Sequence, residues 1–232
     1  MALPSWLAVR LVTANQDGKA IYVATISFHK PEAPGLQHFP TMPQTIPPED
    51  ALTENDVMQE ILDSPKIPDS FKDNVRRKMN RGTAPVQIRY CNPGSMLRPV
   101  KSSEPQYTWF RVTSAALPPQ APRDVSGGSD RAHLHVACWL SDFTLAFAAV
   151  RPHGFPNLDI RMMVSLDHHI YFHTQHFKAD DWFLYEVKTS WADHNRGLCQ
   201  GRIFTADGHL AITTQQEVLV RMKKGFTSKA KL

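Results

Sequence analysis

Leu7 to Val12 and Ala20 to Phe28 are apolar, β-branched runs on either side of Asn15-Gln16-Asp17-Gly18-Lys19. Asp-Gly between such runs supplies the left-handed backbone of a tight turn, so the chain is predicted to open with a β-hairpin. Prolines then recur at 31, 34, 40, 43, 47 and 48. Each fixes φ and removes a backbone donor, which predicts an extended linker from His29 to about Glu49. Helical spacing follows in Glu49 to Asp63, with Val57, Ile61 and Leu62 on one side, and in Asp69 to Met79, with Phe71 and Val75. Ala84 to Tyr90 and Gln106 to Val112 read as strands around a loop with Pro93, Gly94 and Pro99. Beyond a turn-like stretch, Asp124 to Asp130, the run Ala132 to Val150 is continuously apolar and long enough for a buried helix, ended by Pro152 and Gly154. Four strand-like runs complete the pattern: Met162 to His173, Trp182 to Trp191, Gly197 to Thr205 and Leu210 to Val220. Turn chemistry separates the last three, at His194-Asn195-Arg196-Gly197 and Ala206-Asp207-Gly208.

The pattern repeats once. Val9-Arg10-Leu11-Val12-Thr13 followed by Asp17-Gly18-Lys19 parallels Gly201-Arg202-Ile203-Phe204-Thr205 followed by Asp207-Gly208-His209. The opening hairpin therefore reads as a second copy of the closing one, reduced to its last two strands. Two strands do not stand alone in water, and their open edges predict self-association into a homo-oligomer.

Composition adds limits. The 232 residues, 42% hydrophobic, suffice for one good core and part of a second. A net charge of +4 from 26 basic and 22 acidic residues fits either an anionic partner or ordinary surface charge. The basic stretch Lys72 to Arg81 reads first as the solvated face of a helix and otherwise as a phosphate contact. Nucleic acid is disfavoured, because no aromatic RNA-binding motif, zinc spacing or helix-turn-helix pattern accompanies it. Cys91, Cys138 and Cys199 are odd in number and widely spaced, which argues for free thiols in a reducing compartment. No signal core is visible, and no stretch is expected to reach the roughly 20 apolar residues of a membrane span, so a soluble protein is expected. Ala230-Lys231-Leu232, behind Lys223, Lys224 and Lys229, is a variant of the Ser-Lys-Leu peroxisomal address, to be read by the import receptor.

Polar groups inside the apolar runs are the candidates for chemistry, because there they need a partner or a substrate. Asp142, after Ser141, is either a carboxylate made functional by partial burial or part of a helix cap. Ser165 is surrounded by no Gly-x-Ser-x-Gly elbow and so is no elbow nucleophile; alone it matches any sheet serine. Gln216 reads first as a solvent-face residue. Strand alternation puts Asp167 and His168 on opposite faces, with Ser165 on the face of Asp167, so this pair is expected to be structural, hydrogen-bonded near the site. His168, His169, His173 and His176 lack the spacing and further ligands of a metal centre.

Six phrases in one order carry a family resemblance: Ser141-Asp142-Phe143, Met163-Val164-Ser165-Leu166-Asp167-His168, Trp182-Phe183-Leu184-Tyr185-Glu186, Arg196-Gly197-Leu198, Gly201-Arg202-Ile203-Phe204 and Gln215-Gln216-Glu217. From about Ala84 to Arg221 the chain resembles the acyl-CoA thioesterase II family of peroxisomal and bacterial double-hotdog enzymes. His169 stands where the family usually has serine, and Val218 where it usually has glycine. The resemblance implies an α+β hotdog fold, an antiparallel sheet wrapped around a central helix. It assigns 1–28 to the remnant hairpin of an N-terminal hotdog and 29–83 to a proline-rich linker with short helices. A complete C-terminal hotdog thioesterase domain would span 84–222, and a basic tail 223–232. It further implies hydrolysis of fatty acyl-CoA to fatty acid and coenzyme A by activated water, without metal, cofactor or covalent intermediate. Asp142 would be the base, with Ser165 and Gln216 orienting the water. A non-catalytic acyl-CoA-binding or regulatory subunit is the alternative.

Overall fold

The computed structural model of the chain describes residues 7–30, 32–33, 35–80, 85–94, 102–113, 117, 128–154 and 160–223, with side chains in the first central helix from residue 132. Pro99, most of the turn-like stretch before Ala132 and the basic tail beyond Lys223 lie outside these residues. Two compact units meet in sequence between His38 and Phe39.

The smaller unit is an antiparallel ribbon of β1 (Leu7–Gln16) and β2 (Lys19–His29). Its turn is the expected Asp-Gly one: Asp17 and Gly18 have φ of +50° and +73°, the left-handed pair whose twist matches that of the strands. Apolar side chains on both faces remain exposed, among them Leu11 and Val23 on one and Tyr22 and Phe28 on the other.

The larger unit is built on an eight-stranded antiparallel sheet. Its strands are β3 (Leu52–Thr53), β4 (Val86–Tyr90), β5 (Gln106–Val112), β6 (Ile160–Ser165), β7 (His169–Phe172), β8 (Phe183–Asp193), β9 (Arg196–Thr205) and β10 (Leu210–Met222). The order is β3-β4-β5-β8-β9-β10-β6, and β7 also pairs with β10. Alternate residues of one face, including Ile88, Phe110, Phe183, Tyr185, Cys199, Ile212 and Val218, bury against a central helical segment that supplies Ala137, Leu140, Leu145 and Ala149. That segment comprises α3 (Gly128–Asp142) and a 3-10 helix, Leu145–His153. An antiparallel sheet packed on a central helix is the α+β arrangement expected.

A second, smaller core covers the other face, where Ala51, Trp109, Leu184 and Phe204 pack with Met42, Cys91 and Leu210. The Trp109 indole N–H donates to the Ile46 carbonyl at 2.9 Å. With both faces covered, β8 is buried without alternation from Phe183 to Val187.

Five expectations change. The segment 29–83 is a linker only in its first part, because from Phe39 onward it belongs to the larger unit. Its helices α1 (Glu54–Asp63) and α2 (Asp69–Asn80) place Val57, Met58, Ile61 and Val75 in the main core, so their apolar faces are sheet-covering surfaces. The first of them starts later than Glu49, where Thr53 and Asp56 form a reciprocal cap: Asp56 N–H donates to the threonine hydroxyl at 3.0 Å and Thr53 N–H to the carboxylate at 2.9 Å.

The helix expected over Ala132 to Val150 breaks after Asp142. Ser141 Oγ donates back to the Cys138 carbonyl at 2.7 Å, and Phe143 N–H reaches Leu140 rather than a full turn back. Ala132–His153 is nonetheless apolar and long enough to meet the criteria for a membrane crossing, contrary to expectation; here its apolar face lines the core of the sheet. Finally, the strand expected over Met162 to His173 is interrupted at Leu166–His168, with consequences for the site.

Candidate active site

The centre of the site is β10, whose inward row runs Ile212, Thr214, Gln216, Val218, all fully buried. β9 lies along one side of β10, while β6 and β7 lie end to end along the other. Ser165 pairs with Val218 and His169 with Gln215, so four residue steps on one strand face three on its partner. This one-residue excess is a β-bulge, a device that re-aims side chains. Glu217 pins it from both backbone groups: its carbonyl accepts from Leu166 N–H at 2.8 Å, and its N–H donates to Asp167 Oδ1 at 2.9 Å.

Asp142, Ser165 and Gln216 come together. Gln216 Nε2 donates to Asp142 Oδ1 at 2.6 Å and to Ser165 Oγ at 2.8 Å. Both amide hydrogens are thereby used, which leaves the serine hydroxyl hydrogen and the second carboxylate oxygen for a third group. Gln216 Oε1 is buried and has no hydrogen-bond partner among the described residues. Gln216 is therefore no solvent-face residue. The partial burial expected for Asp142 is not found: at the C-terminal end of α3 its side chain is 59% exposed. A reachable carboxylate whose other oxygen is held by a buried amide suits proton transfer with a bound reactant.

The bulge overturns the alternation argument for His168. It turns this ring inward, toward the centre that Ser165 also reaches, and its side chain is only 19% exposed. Nε2 lies 3.0 Å from Ser141 Oγ and 3.1 Å from Thr214 Oγ1. Nδ1 faces Asp142 Oδ1 at 3.7 Å. Burial holds the imidazole below its usual ionisation range, with the negative charge of Asp142 opposing. Asp167 turns instead to the Glu217 amide, so the two residues do diverge. The polar triplet Asp167-His168-His169 inside an apolar run was the available sign of a bulge.

Support comes from behind. Tyr185 Oη donates to the Ser141 carbonyl at 2.5 Å and so ties the end of α3 to β8. Burial first, then the charge of Asp142, holds this phenol well above its usual ionisation range, so it remains a donor. Gly201 makes room for the ring: a Cβ there would stand 2.5 Å from Tyr185 Cε2 and 2.8 Å from Thr214 Cγ2. Composition alone gave Tyr185 and Thr214 no role.

The basic stretch on α2 is a solvated face. Arg76 pairs with Asp73 at 2.7 Å, Arg77 donates to Asn74 at 2.6 Å, and Lys78 pairs with Glu54. Among the described residues no group of three His, Cys, Asp or Glu side chains is arranged to hold a metal.

A family model for the acyl-CoA thioesterase C-terminal domain matches residues 62–220. The chain is 34% identical over 217 residues to acyl-coenzyme A thioesterase 8 of Rattus norvegicus, covering 93% of this chain and 64% of that protein. It is 32% identical over 214 residues to acyl-CoA thioesterase 2 of Haemophilus influenzae, covering 92% and 68% respectively. The chain thus spans less than two thirds of the rat relative. Among solved structures, acyl-CoA thioesterase II TesB2 from Mycobacterium marinum superposes with a TM-score of 0.69 at 26% identity, over 97% of this chain and 72% of that one. A hot dog fold protein from Alicyclobacillus acidocaldarius shares the fold, with a TM-score of 0.62 at 16% identity over 95% and 70%.

Proposed function

Because the chain belongs to the acyl-CoA thioesterase family, we propose that it hydrolyses fatty acyl-CoA to free fatty acid and coenzyme A, with Asp142, Ser165 and Gln216 as its catalytic residues. The observation that carries this reading is the Gln216 amide bridging Asp142 and Ser165. Water bound at the exposed carboxylate gives a proton to Asp142 as its oxygen adds to the thioester carbon. The serine hydroxyl hydrogen and the carboxylate, both held in place by the Gln216 amide, restrict the orientation of that water. Collapse of the tetrahedral intermediate breaks the carbon–sulfur bond, and the proton returns from Asp142 to the departing thiolate. Incubation of the purified chain with medium and long acyl-CoAs, followed by free thiol, tests this. Release by the wild type with loss in Asp142→Asn supports it, and equal release from both overturns it.

Two further proposals attach to this reading. The chain is a homo-oligomer, supported by the exposed apolar side chains of the ribbon. Light scattering is expected to give a mass above 26.2 kDa, and a monodisperse monomer contradicts it. The protein acts in the peroxisome, supported by Ala230-Lys231-Leu232. Deleting Leu232 is expected to abolish import of the tagged chain, whereas unchanged import removes the argument.

A further inference from the structure

We propose that His168 is a positioning residue for hydrolysis, held as a single tautomer so that its bare Nδ1 faces Asp142 and accepts a hydrogen bond from that carboxyl group once it carries the proton taken from water. The inference rests on the thioesterase reading above and adds a residue to it.

The tautomer follows from the hydroxyls. Ser141 Oγ donates its one hydrogen to the Cys138 carbonyl at 2.7 Å, and Thr214 Oγ1 donates its own to the His169 carbonyl at 2.9 Å. Neither has a hydrogen left for the ring, so each offers a lone pair to Nε2, which carries the hydrogen and shares it between them. In a neutral ring Nδ1 is then the acceptor. It is buried, has no hydrogen-bond partner among the described residues, and lies 3.7 Å from Asp142 Oδ1.

Before reaction two acceptors face each other across this gap, which explains its width. After the free oxygen of Asp142 takes the proton, a turn of the exposed carboxyl group about Cβ–Cγ brings the new O–H to Nδ1, while the other oxygen takes over the hydrogen bond from the Gln216 amide. The proton passes from water to Asp142, is held there against His168, and leaves with the thiolate; nothing else is consumed. Protonation of the imidazole itself would replace the acceptor with a donor pointed at the carboxylate. The charged or titratable groups around the ring are Asp142 from α3 and, on its own strand connection, Asp167 and His169.

Two amide substitutions separate this role from a structural one. The Asn amide reaches the position of Nδ1, and the longer Gln amide that of Nε2. His168→Gln in the full chain keeps the donor to Ser141 and Thr214, so its unfolding midpoint is expected near that of the wild type. Its kcat is expected to fall about tenfold or more with KM within about twofold. His168→Asn is expected to keep more of kcat than His168→Gln despite a lower midpoint. The wild-type kcat profile is expected to fall on the acid side with an inflection below the usual imidazole range, and His168→Asn to lose that limb. An independent reading comes from nitrogen-15 NMR of histidine-labelled wild type, where Nδ1 is expected unprotonated at neutral pH and displaced in Asp142→Asn. A protonated Nδ1 overturns the inference, as does an active wild type for which Gln exceeds Asn or both variants match it. A wild type with no hydrolysis overturns the thioesterase reading and this role together.

Discussion

Asp142→Asn is expected to lower kcat for acyl-CoA hydrolysis by about 10²- to 10⁴-fold, with KM within a few-fold of the wild type. The substitution keeps the shape of the side chain, and its amide oxygen still accepts from Gln216 Nε2 across the present 2.6 Å contact. Only the capacity to take a proton from water is removed. Because the side chain is 59% exposed, little burial is at stake, and the thermal unfolding midpoint is expected to stay close to that of the wild type. The comparison is therefore free of a folding effect. Initial rates of thiol release across a range of acyl-CoA concentrations, with circular dichroism melts of the same preparations, supply it. A variant that retains wild-type kcat would show that another group accepts the proton.

Gly201→Ala is expected to destabilise the protein by about 1–3 kcal/mol and to lower kcat as well. The added methyl group would meet Tyr185 Cε2 at 2.5 Å, Tyr185 Oη at 2.8 Å and Thr214 Cγ2 at 2.8 Å. Neither neighbour can yield freely. Tyr185 is fully buried and edge-packed on Phe110 at 5.8 Å, and its hydroxyl is spent on the Ser141 carbonyl. Thr214 is fully buried and holds both His168 and the His169 carbonyl. Relief of the clash must pull on the end of α3 or on the bulge, and so displace Asp142 or His168. Urea denaturation gives the stability change, and the rate assay at a urea-free reference gives the second effect. An unchanged midpoint with unchanged kcat would mean that the strand moves away from Tyr185 at no cost.

Local chemistry was legible in the sequence, and chemistry set by distant residues was not. Asp17-Gly18 forms its turn from two residues and their φ angles, so the hairpin follows from composition. The strands Gln106–Val112 and Arg196–Thr205 follow from apolar runs bounded by turn residues. Asp142, Ser165 and Gln216 were joined into one site only by the family resemblance, since taken singly they read as a helix cap, an ordinary sheet serine and a solvent-face residue; the geometry supplies them to one another as partners. His168 was lost because its direction depends on an extra residue pinned by Glu217, about fifty positions later, which no alternation rule contains. The central helix was drawn too long because apolar content continues past Asp142, whereas Ser141 ends the regular hydrogen bonding. The proline-rich stretch looked like a connector for a similar reason: prolines predict an extended backbone, and only the tertiary fold provides the Trp109 indole that receives it.

The position of β10 has a consequence for how such a chain is born. This strand comes after the others in sequence, yet it lies inside the sheet, with β9 on one flank and β6 and β7 on the other. During synthesis the ribosome releases Asp142, Ser165 and His168 before the strand that gathers them, and long-range pairing of this kind is slow to close. Until β10 inserts, the nascent chain carries Asp142, Ser165 and His168 without the Gln216 that gathers them, so the proposed water site does not exist until translation has passed Gln216.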